Sequence, residues 1–238
     1  MHEFFDDIVP HPDGVDPEAD LIHERAYVVR AYRKDDHTLL LRGAVRDQKP
    51  PGLYVPTDPD PLTVHHMIVD LEIAVPSLEI MRAKAVLKTH PHANCVRIED
   101  HYQNLVGLCI ARGFTHKVRE LFGGPRGCTH TTALLQAMAP VAIQSMWSFH
   151  IMAARTGEAS SGGPGFSTPE ARMRAMVTNL NTCHIWAEDG EQVAGIRNGE
   201  PMEVPVWIAK RFAELGLDTN NWSNQGQAAR HDREVQPT

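Results

Sequence analysis

The stretch Val64–Val75, VHHMIVDLEIAV, decides the fold because its apolar and polar residues alternate with the two-residue period of a β-strand. One face of this strand carries an apolar row, namely Met67, Val69, Leu71 and Ile73. The opposite face carries His66, Asp70 and Glu72, whereas His65 points with the apolar face. After a turn at Pro76-Ser77, the segment Glu79–Thr89 repeats the alternation, so the two segments are predicted to form an antiparallel hairpin.

An earlier hairpin precedes this one. Arg25–Arg33 and Thr38–Asp47 have strand character and flank a polar turn at residues 34–36. Between the two hairpins, Gln48–Pro61 contains five prolines, which neither a helix nor an interior strand accommodates. The sequence therefore predicts four antiparallel strands in a meander, joined in the middle by an irregular loop.

The pattern becomes helical after the fourth strand. Apolar positions recur at steps of three and four from Cys95 to Cys109, which predicts a helix ending by Gly113, with Cys109 on its buried face. A shorter helix is expected around Phe114–Phe122, and a long apolar helix from about Cys128 to Ala154, interrupted by a proline. The predicted fold class is α+β, a four-stranded antiparallel meander packed on helices.

The chain is predicted to have four parts. Residues 1–21 form an acidic irregular leader, residues 22–156 the main α+β domain, residues 157–218 a C-terminal extension packed on it, and residues 219–238 a disordered tail. The extension is expected to contain a helix from Pro169, a hairpin turning at Asp189-Gly190, and a last helix over Glu203–Leu215 that ends at Gly216.

Composition excludes several classes of protein. With 23 basic and 30 acidic residues and a net charge of −7, binding to nucleic acid is not expected. The acidic leader does not match a signal peptide, and polar residues interrupt the apolar stretch Ala133–Met152, so we expect a cytoplasmic protein without a membrane contact. Because that stretch is apolar on most of its circumference, either the C-terminal extension or a second subunit must cover the part that the sheet does not, and we expect a homodimer.

The sharpest candidate site is the glycine-rich stretch Gly123–His130, GGPRGCTH, which delivers a cysteine and a histidine to the start of a helix. A helix N-terminus stabilises a thiolate, so Cys128 is suited to bind a metal or attack an electrophile. Residues two apart in a helix point about 200° apart, so Cys128 and His130 act together only if Cys128 precedes the helix proper. The alternative is that Cys128 caps the helix and His130 lies on the surface.

Three further groups of residues could contribute. His90-Pro91-His92 and Cys95 lie where the fourth strand meets the first helix, with spacings that suit a Zn or Fe ion; alternatively, Asn94 caps the helix and the histidines are solvated. Asp70 is an unusual mid-strand carboxylate that shares a face with His66, either as a general base or ligand or on a solvated outer face. Cys183-His184 is the last pair, either part of the site or a buried thiol beside an exposed histidine.

The strand and loop motifs, and above all Gly127-Cys128-Thr129-His130, resemble a bacterial family catalogued as domain of unknown function 2889, over about Ile22 to Asp189. That resemblance implies no reaction. More distantly, strands followed by helices with a late Cys/His pair resemble the NifU-type iron–sulfur scaffold proteins. This second resemblance would imply Cys95, Cys128, His130 and Asp70 as ligands, although the order here is Cys-Thr-His rather than an adjacent His-Cys pair.

These observations lead to one main expectation and two alternatives. We expect a small-molecule enzyme with a Zn or Fe ion in an open coordination site. The predicted metal ligands are Cys95, Cys128, His130 and His92, and the predicted catalytic residues are Asp70 and His66. The alternatives are an iron–sulfur or metal scaffold of the NifU type, and a metal-free thiol enzyme with Cys128 as the nucleophile.

Overall fold

Residues 20–156, 169–200 and 203–219, together with residues 9, 13, 14 and 16, are described by a computed structural model of the chain. The chain divides into two compact units, Met1–Ile143 and Gln144–Thr238. In the described residues, the first unit contains the sheet and the helical segments that follow it up to residue 143, and the second contains the end of the long helix and several short helices. The predicted disordered tail lies outside the described residues beyond residue 219.

The sheet of the first unit is an antiparallel meander of four strands in the order β1-β2-β3-β4. The strands are β1 (Glu24–Asp35), β2 (Thr38–Lys49), β3 (Leu62–Ala74) and β4 (Ile80–Thr89). Their bounds lie within a few residues of those predicted from the sequence, and the proline-rich segment between β2 and β3 is an irregular loop. The predicted α+β class is therefore confirmed.

One face of the sheet forms the core, as the alternation of apolar residues requires. The inner positions of β2 and β3 are at most 2% exposed, namely Leu39, Leu41, Val45, Met67, Val69, Leu71 and Ile73. Gly43 continues this row, and a Cβ there would lie 2.6 Å from Sδ of Met138 and 3.1 Å from Leu134. The absence of a side chain at Gly43 therefore lets the long helix lie close against β2.

The helical part of the first unit begins with a 3-10 segment, Ala93–Leu105, rather than the predicted α-helix reaching Cys109. After it, the chain turns at Gly107 and returns to the sheet, where Gly107 and Ile110 donate to the carbonyl oxygens of Ile80 and Leu78. Cys109 lies in this returning segment and is exposed, so its predicted burial was wrong. Hydrogen bonding to the start of β4 outweighed the helical spacing.

Two α-helices follow. Helix α1 (Phe114–Phe122) confirms the prediction, and a short 3-10 turn (Gly124–Arg126) leads to helix α2 (Thr129–Thr156), which contains Pro140. Helix α2 begins one residue after Cys128, and the boundary between the two units falls within it. No helix in the described part of the chain is both long enough and apolar enough to cross a membrane.

The second unit contains helix α3 (Pro169–Asn179), a 3-10 turn (His184–Trp186), helix α4 (Glu191–Arg197) and helix α5 (Val206–Leu215). The hairpin predicted at Asp189-Gly190 was wrong. Gly190 instead precedes α4, whose Val193 and Ile196 have helical spacing and pack with Met176 in a small core. The last helix ends at Gly216 as predicted, with that glycine in the left-handed conformation.

Gly127 is predicted to be more sensitive to substitution than Gly43. A Cβ at Gly127 would lie 2.4 Å from the backbone oxygen of Phe122, which cannot move without displacing α1. At Gly43 the obstacle is the flexible Met138 side chain. Gly127→Ala should lower the free energy of unfolding by about 2–3 kcal/mol or more, and Gly43→Ala by less. Urea unfolding followed by circular dichroism measures both, and equal losses would contradict this account.

Candidate functional site

The candidate site lies at the end of the sheet where β1 and β3 begin and β2 ends. Arg25, Asp47 and His65 are direct cross-strand neighbours there, with Arg25 opposite Asp47 and Asp47 opposite His65. Asp47 is in phase with the buried Val45, so its carboxylate points to the inner face. The pairing register therefore places a cation, a carboxylate and an imidazole in one row.

Irregular strand pairing accompanies this row. The register between β2 and β3 shifts between Asp47 and Gln48, and that between β3 and β4 shifts between His66 and Met67. A bulge bends a strand and changes the direction of nearby side chains, and such irregularities are common beside functional sites. Both shifts occur within two residues of the row.

Asp47 is the most deeply buried charged group of the cluster, with a side chain only 2% exposed. Arg25 donates to both of its oxygens, from Nε to Oδ1 at 2.6 Å and from Nη2 to Oδ2 at 2.7 Å. Burial by itself opposes ionisation, but the hydrogen bonds and charge of Arg25 outweigh it and lower the pKa of Asp47 from 3.8 to about 2. Asp47 is therefore a carboxylate at neutral pH.

Two imidazoles lie against the same carboxylate oxygen. Nδ1 of His65 and Nε2 of His130 are each 3.1 Å from Oδ2 of Asp47. The two rings stack with centroids 3.9 Å apart and an interplanar angle of 27°. Burial lowers the pKa of His130 and the neighbouring His65 lowers it further, and together they outweigh the opposing effect of Asp47, which favours a neutral His130 at neutral pH.

Cys128 lies immediately before α2, the position required for it to act with His130. Its carbonyl oxygen accepts from the amide of Thr132 at 2.9 Å, which makes Cys128 the N-cap residue. Its own amide donates to the hydroxyl oxygen of Tyr102 at 2.8 Å, and Tyr102 is fully buried. Sγ of Cys128 is 3.8 Å from Nδ1 of His130, so the two ring nitrogens of His130 face the thiol and Asp47.

A cavity of about 340 Å³ opens beside these residues. Its walls combine the sheet, the 3-10 segment and the start of α2. The lining residues are His65, Met67, Leu87, Pro91, Asn94, Cys95, Ile98, Gly127, Cys128 and His130. The cavity is of the size that small-molecule sites have, with mostly apolar walls that also include two imidazoles and two thiols.

The structure brings some of the predicted residues together and places others elsewhere. Cys95, Cys128 and His130 line the same cavity. His92 is exposed at the start of the 3-10 segment, where its carbonyl oxygen lies 2.9 Å from Nδ1 of His90. Asp70 lies on the outer face of the sheet, where Arg42 contacts both of its oxygens at 2.6 and 2.7 Å.

His66 shares the outer face with Asp70, as the alternation predicts. Burial lowers the pKa of His66, and the nearby charges of Lys88 and Arg46 lower it further. Cys183 and His184, in the second unit, are both exposed. The described part of the chain contains one group of three residues that could hold a metal ion, Asp47, His65 and His130, of which His130 is one of the predicted ligands.

Sequence reasoning missed Asp47, Arg25 and the role of His65, although one signal was present. In Thr38–Asp47, every second residue from Leu39 faces the core, and this alternation ends on Asp47. A carboxylate on the apolar face of a strand needs a partner, whereas Asp70 on the polar face does not. The phase of each carboxylate in its strand therefore distinguishes the two.

Comparison with known proteins assigns the family. The model of the family described as "Protein of unknown function (DUF2889)" matches residues 23–144, just over half of the chain, so this chain belongs to that family. The matched range includes Asp47 and the three residues that contact it, Arg25, His65 and His130. It also includes Tyr102 and Cys128. No curated protein and no solved structure matches the chain. The resemblance to NifU-type scaffold proteins therefore finds no support.

The pKa of Asp47 predicts how stability depends on pH. Because this pKa is lower in the folded chain than the ordinary 3.8, the ionised carboxylate stabilises the fold above that value, and the contribution is lost as pH falls towards 2. The loss should be about 2 kcal/mol in the free energy of unfolding. Chemical unfolding between pH 6 and 2 should show it in the unaltered chain and not in Asp47→Asn.

Asp70→Asn is the matched control for this measurement, since it also removes a carboxylate held by two contacts from an arginine, but on the exposed face. This variant should keep the acid sensitivity of the unaltered chain. The assignment to Asp47 is wrong if Asp47→Asn loses as much stability between pH 6 and 2 as the unaltered chain does.

Proposed function

We propose that this protein is a small-molecule enzyme in which Cys128 is the nucleophile, His130 is its general base and Asp47 orients the base. The observation that carries the proposal is the continuous line of contacts from thiol to carboxylate. Sγ of Cys128 is 3.8 Å from one ring nitrogen of His130, whose other nitrogen is 3.1 Å from Oδ2 of Asp47. A nucleophile, a base and a group that orients the base define this type of site.

The protonation states required by the mechanism agree with the electrostatics. His130 must carry its proton on Nε2, donating it to Asp47, so that Nδ1 is free to accept the proton of the thiol. The lowered pKa of His130 favours the neutral ring that can accept it. After transfer, the thiolate of Cys128 lies at the positive end of α2, beside an imidazolium that Asp47 stabilises.

Arg25 completes the arrangement from the sheet. By contacting both oxygens of Asp47, it fixes the plane of the carboxylate and keeps it ionised in a position that water hardly reaches. Asp47 can then hold His130 in one tautomer and one orientation. Tyr102 fixes the backbone of Cys128, and burial raises the pKa of its hydroxyl, which keeps it a neutral hydrogen-bonding group.

The cavity limits the substrate class. A volume of about 340 Å³ with walls from Met67, Leu87 and Ile98 suits a short apolar chain or one ring, with its electrophilic carbon directed at Cys128. The simplest chemistry is acyl transfer. The sulfur attacks a carbonyl carbon, and the leaving group departs with the electron pair of the broken bond and takes up the proton that His130 received from the thiol. Water then hydrolyses the thioester with the neutral His130 as base, which releases a carboxylic acid and restores the thiol.

The proposal is tested with p-nitrophenyl acetate as the probe. The unaltered protein should release a burst of about one p-nitrophenolate per chain, and mass spectrometry should find the acetyl group on Cys128. Cys128→Ala should lose the burst, and His130→Gln should slow it by a factor of about 100, within the usual contribution of a general base. Asp47→Asn should slow it by about tenfold or more.

Cys109→Ala is the matched control, because Cys109 is an exposed thiol outside the cavity. It should leave the burst rate unchanged. Acetylation spread over Cys109 and Cys183 at rates similar to that of Cys128 would contradict the proposal, as would an unchanged burst in His130→Gln.

A metal centre is a second candidate, favoured by a specific observation. One oxygen of Asp47 and one ring nitrogen each of His65 and His130 lie within 4.8 Å of one another, a donor set that suits Zn or Fe. Two features oppose it. Arg25 already contacts both carboxylate oxygens, and stacked imidazoles direct their lone pairs along nearly parallel planes rather than to one point. One ring must rotate before an ion could bind.

Zinc titration by calorimetry on chelator-treated protein separates the two candidates. A metal centre requires one zinc per chain, bound also by Cys128→Ala but not by His65→Gln or Asp47→Asn. The thiol mechanism instead predicts a p-nitrophenyl acetate burst that persists in excess EDTA and largely survives His65→Gln. A burst abolished by EDTA and restored by zinc would reject the metal-free mechanism.

A further inference from the structure

The net charge of the protein lies entirely in its leader. Residues 1–21 contain seven acidic residues, no lysine and no arginine. The charge of this segment is therefore −7, equal to the net charge of the whole chain. The other 217 residues contain 23 acidic and 23 basic residues. The leader also carries apolar residues between its acidic ones, as in Phe4-Phe5-Asp6-Asp7-Ile8. It is therefore both acidic and apolar, and it joins the sheet directly at β1.

The outer face of the sheet has the opposite charge. Positions that alternate with the buried ones carry seven cations from β1, β2 and β4, namely Arg30, Lys34, Arg42, Arg46, Arg82, Lys84 and Lys88. Three carboxylates accompany them on the same face, Glu24, Asp70 and Glu72. In a chain whose remaining charges balance, this is a strong local excess of positive charge.

The cations and apolar residues of this face are arranged in rows across the strands. Cross-strand pairing aligns Val28, Ala44, Ile68 and Val86 in one apolar row. Arg30, Arg42 and Lys84 lie in the row on one side of it, together with Asp70, and Arg46 and Lys88 lie on the other side. Neighbouring rows are two residues apart along each strand, or about 7 Å. A segment that presents apolar residues with carboxylates on both sides matches this pattern.

Part of this positive charge has no partner in the described chain. Arg42 pairs with Asp70, and Glu72 lies 3.0 Å from Lys34 and 3.6 Å from Arg82. Among the residues that the structure describes, no ion pair includes Arg30, Arg46, Lys84 or Lys88. The lowered pKa of His66 is partly due to Lys88 and Arg46, which agrees with uncompensated cations at this end of the face.

We propose that the outer face of the sheet is the binding surface for the chain's own acidic leader, residues 1–21. The apolar row takes up its phenylalanine and isoleucine side chains, and the cations on either side of the row pair with its aspartates. The connection is short, because β1 begins at Glu24 and is itself an edge strand of the face. An extended chain covers at most about 3.3–3.6 Å per residue, so the leader is long enough to cross the sheet.

Zero-length cross-linking of the full chain tests this inference. A carbodiimide joins a carboxylate to a lysine amine only where the two are in contact, and peptide mass spectrometry identifies both partners. The leader carboxylates should cross-link to Lys84 and Lys88 at least ten times more often than to the exposed Lys210 of α5. Sodium chloride at 1 M should reduce these cross-links, because the exposed charges are screened.

Two variants and an isotope mixture complete the design. Asp6→Asn combined with Asp7→Asn should reduce the cross-links to Lys84 and Lys88, and Lys210→Gln should not change them. A mixture of unlabelled and ¹⁵N-labelled protein shows whether both partners come from one chain, as expected. Cross-links found only between labelled and unlabelled copies, or spread equally over the three lysines, would overturn the inference, and so would their absence.

Discussion

The contact between Arg25 and the buried carboxylate of Asp47 is the interaction on which the site depends. Asp47 lies on the core face of β2, where an unpaired charge would strongly destabilise the fold. Arg25 removes that cost because the strand register puts it directly opposite. The remaining capacity of the same carboxylate then orients His65 and His130, which lie on β3 and α2. The ion pair that makes the buried Asp47 tolerable for the fold thus also holds the carboxylate in the position where it contacts both histidines.

Local patterns were sufficient for most of the fold. Strand-type residues around a polar turn located β1 and β2, alternation located β3 and β4, and the glycine-rich turn located the start of α2. The errors occurred where tertiary hydrogen bonds or helical packing competed with a local signal. The segment around Cys109 returns to hydrogen-bond with β4, and the Asp189-Gly190 dipeptide precedes a helix whose apolar residues complete a small core. The spacing of residues in the sequence does not reveal either of these tertiary contacts.

Some residues of the candidate site could be predicted from the sequence and others could not, again because tertiary contacts are absent from local patterns. Cys128 and His130 are close in sequence, so their proximity could be expected once the helix start was known. Asp47 and His65 join them only through strand register and helix docking, which a single sequence does not specify. The sequence favoured Asp70 as a site residue because a mid-strand carboxylate is unusual. Asp70 lies on the outer face, where it pairs with Arg42. Whether a carboxylate lies on the core face or the outer face of its strand is therefore a better guide to a site than the fact that it lies in a strand.

The residues of the candidate site come from two separate structural elements, a helix and the sheet. Cys128 and His130 belong to the start of one helix, whereas Asp47 and Arg25 belong to the sheet. A small sliding of the helix would keep thiol and imidazole together but lengthen the contact between the imidazole and Asp47. The nucleophile would then remain beside its base while the base loses its orientation. If the proposed mechanism holds, its activity therefore depends on how closely helix and sheet are docked, so that it would fall under conditions in which the chain is still folded.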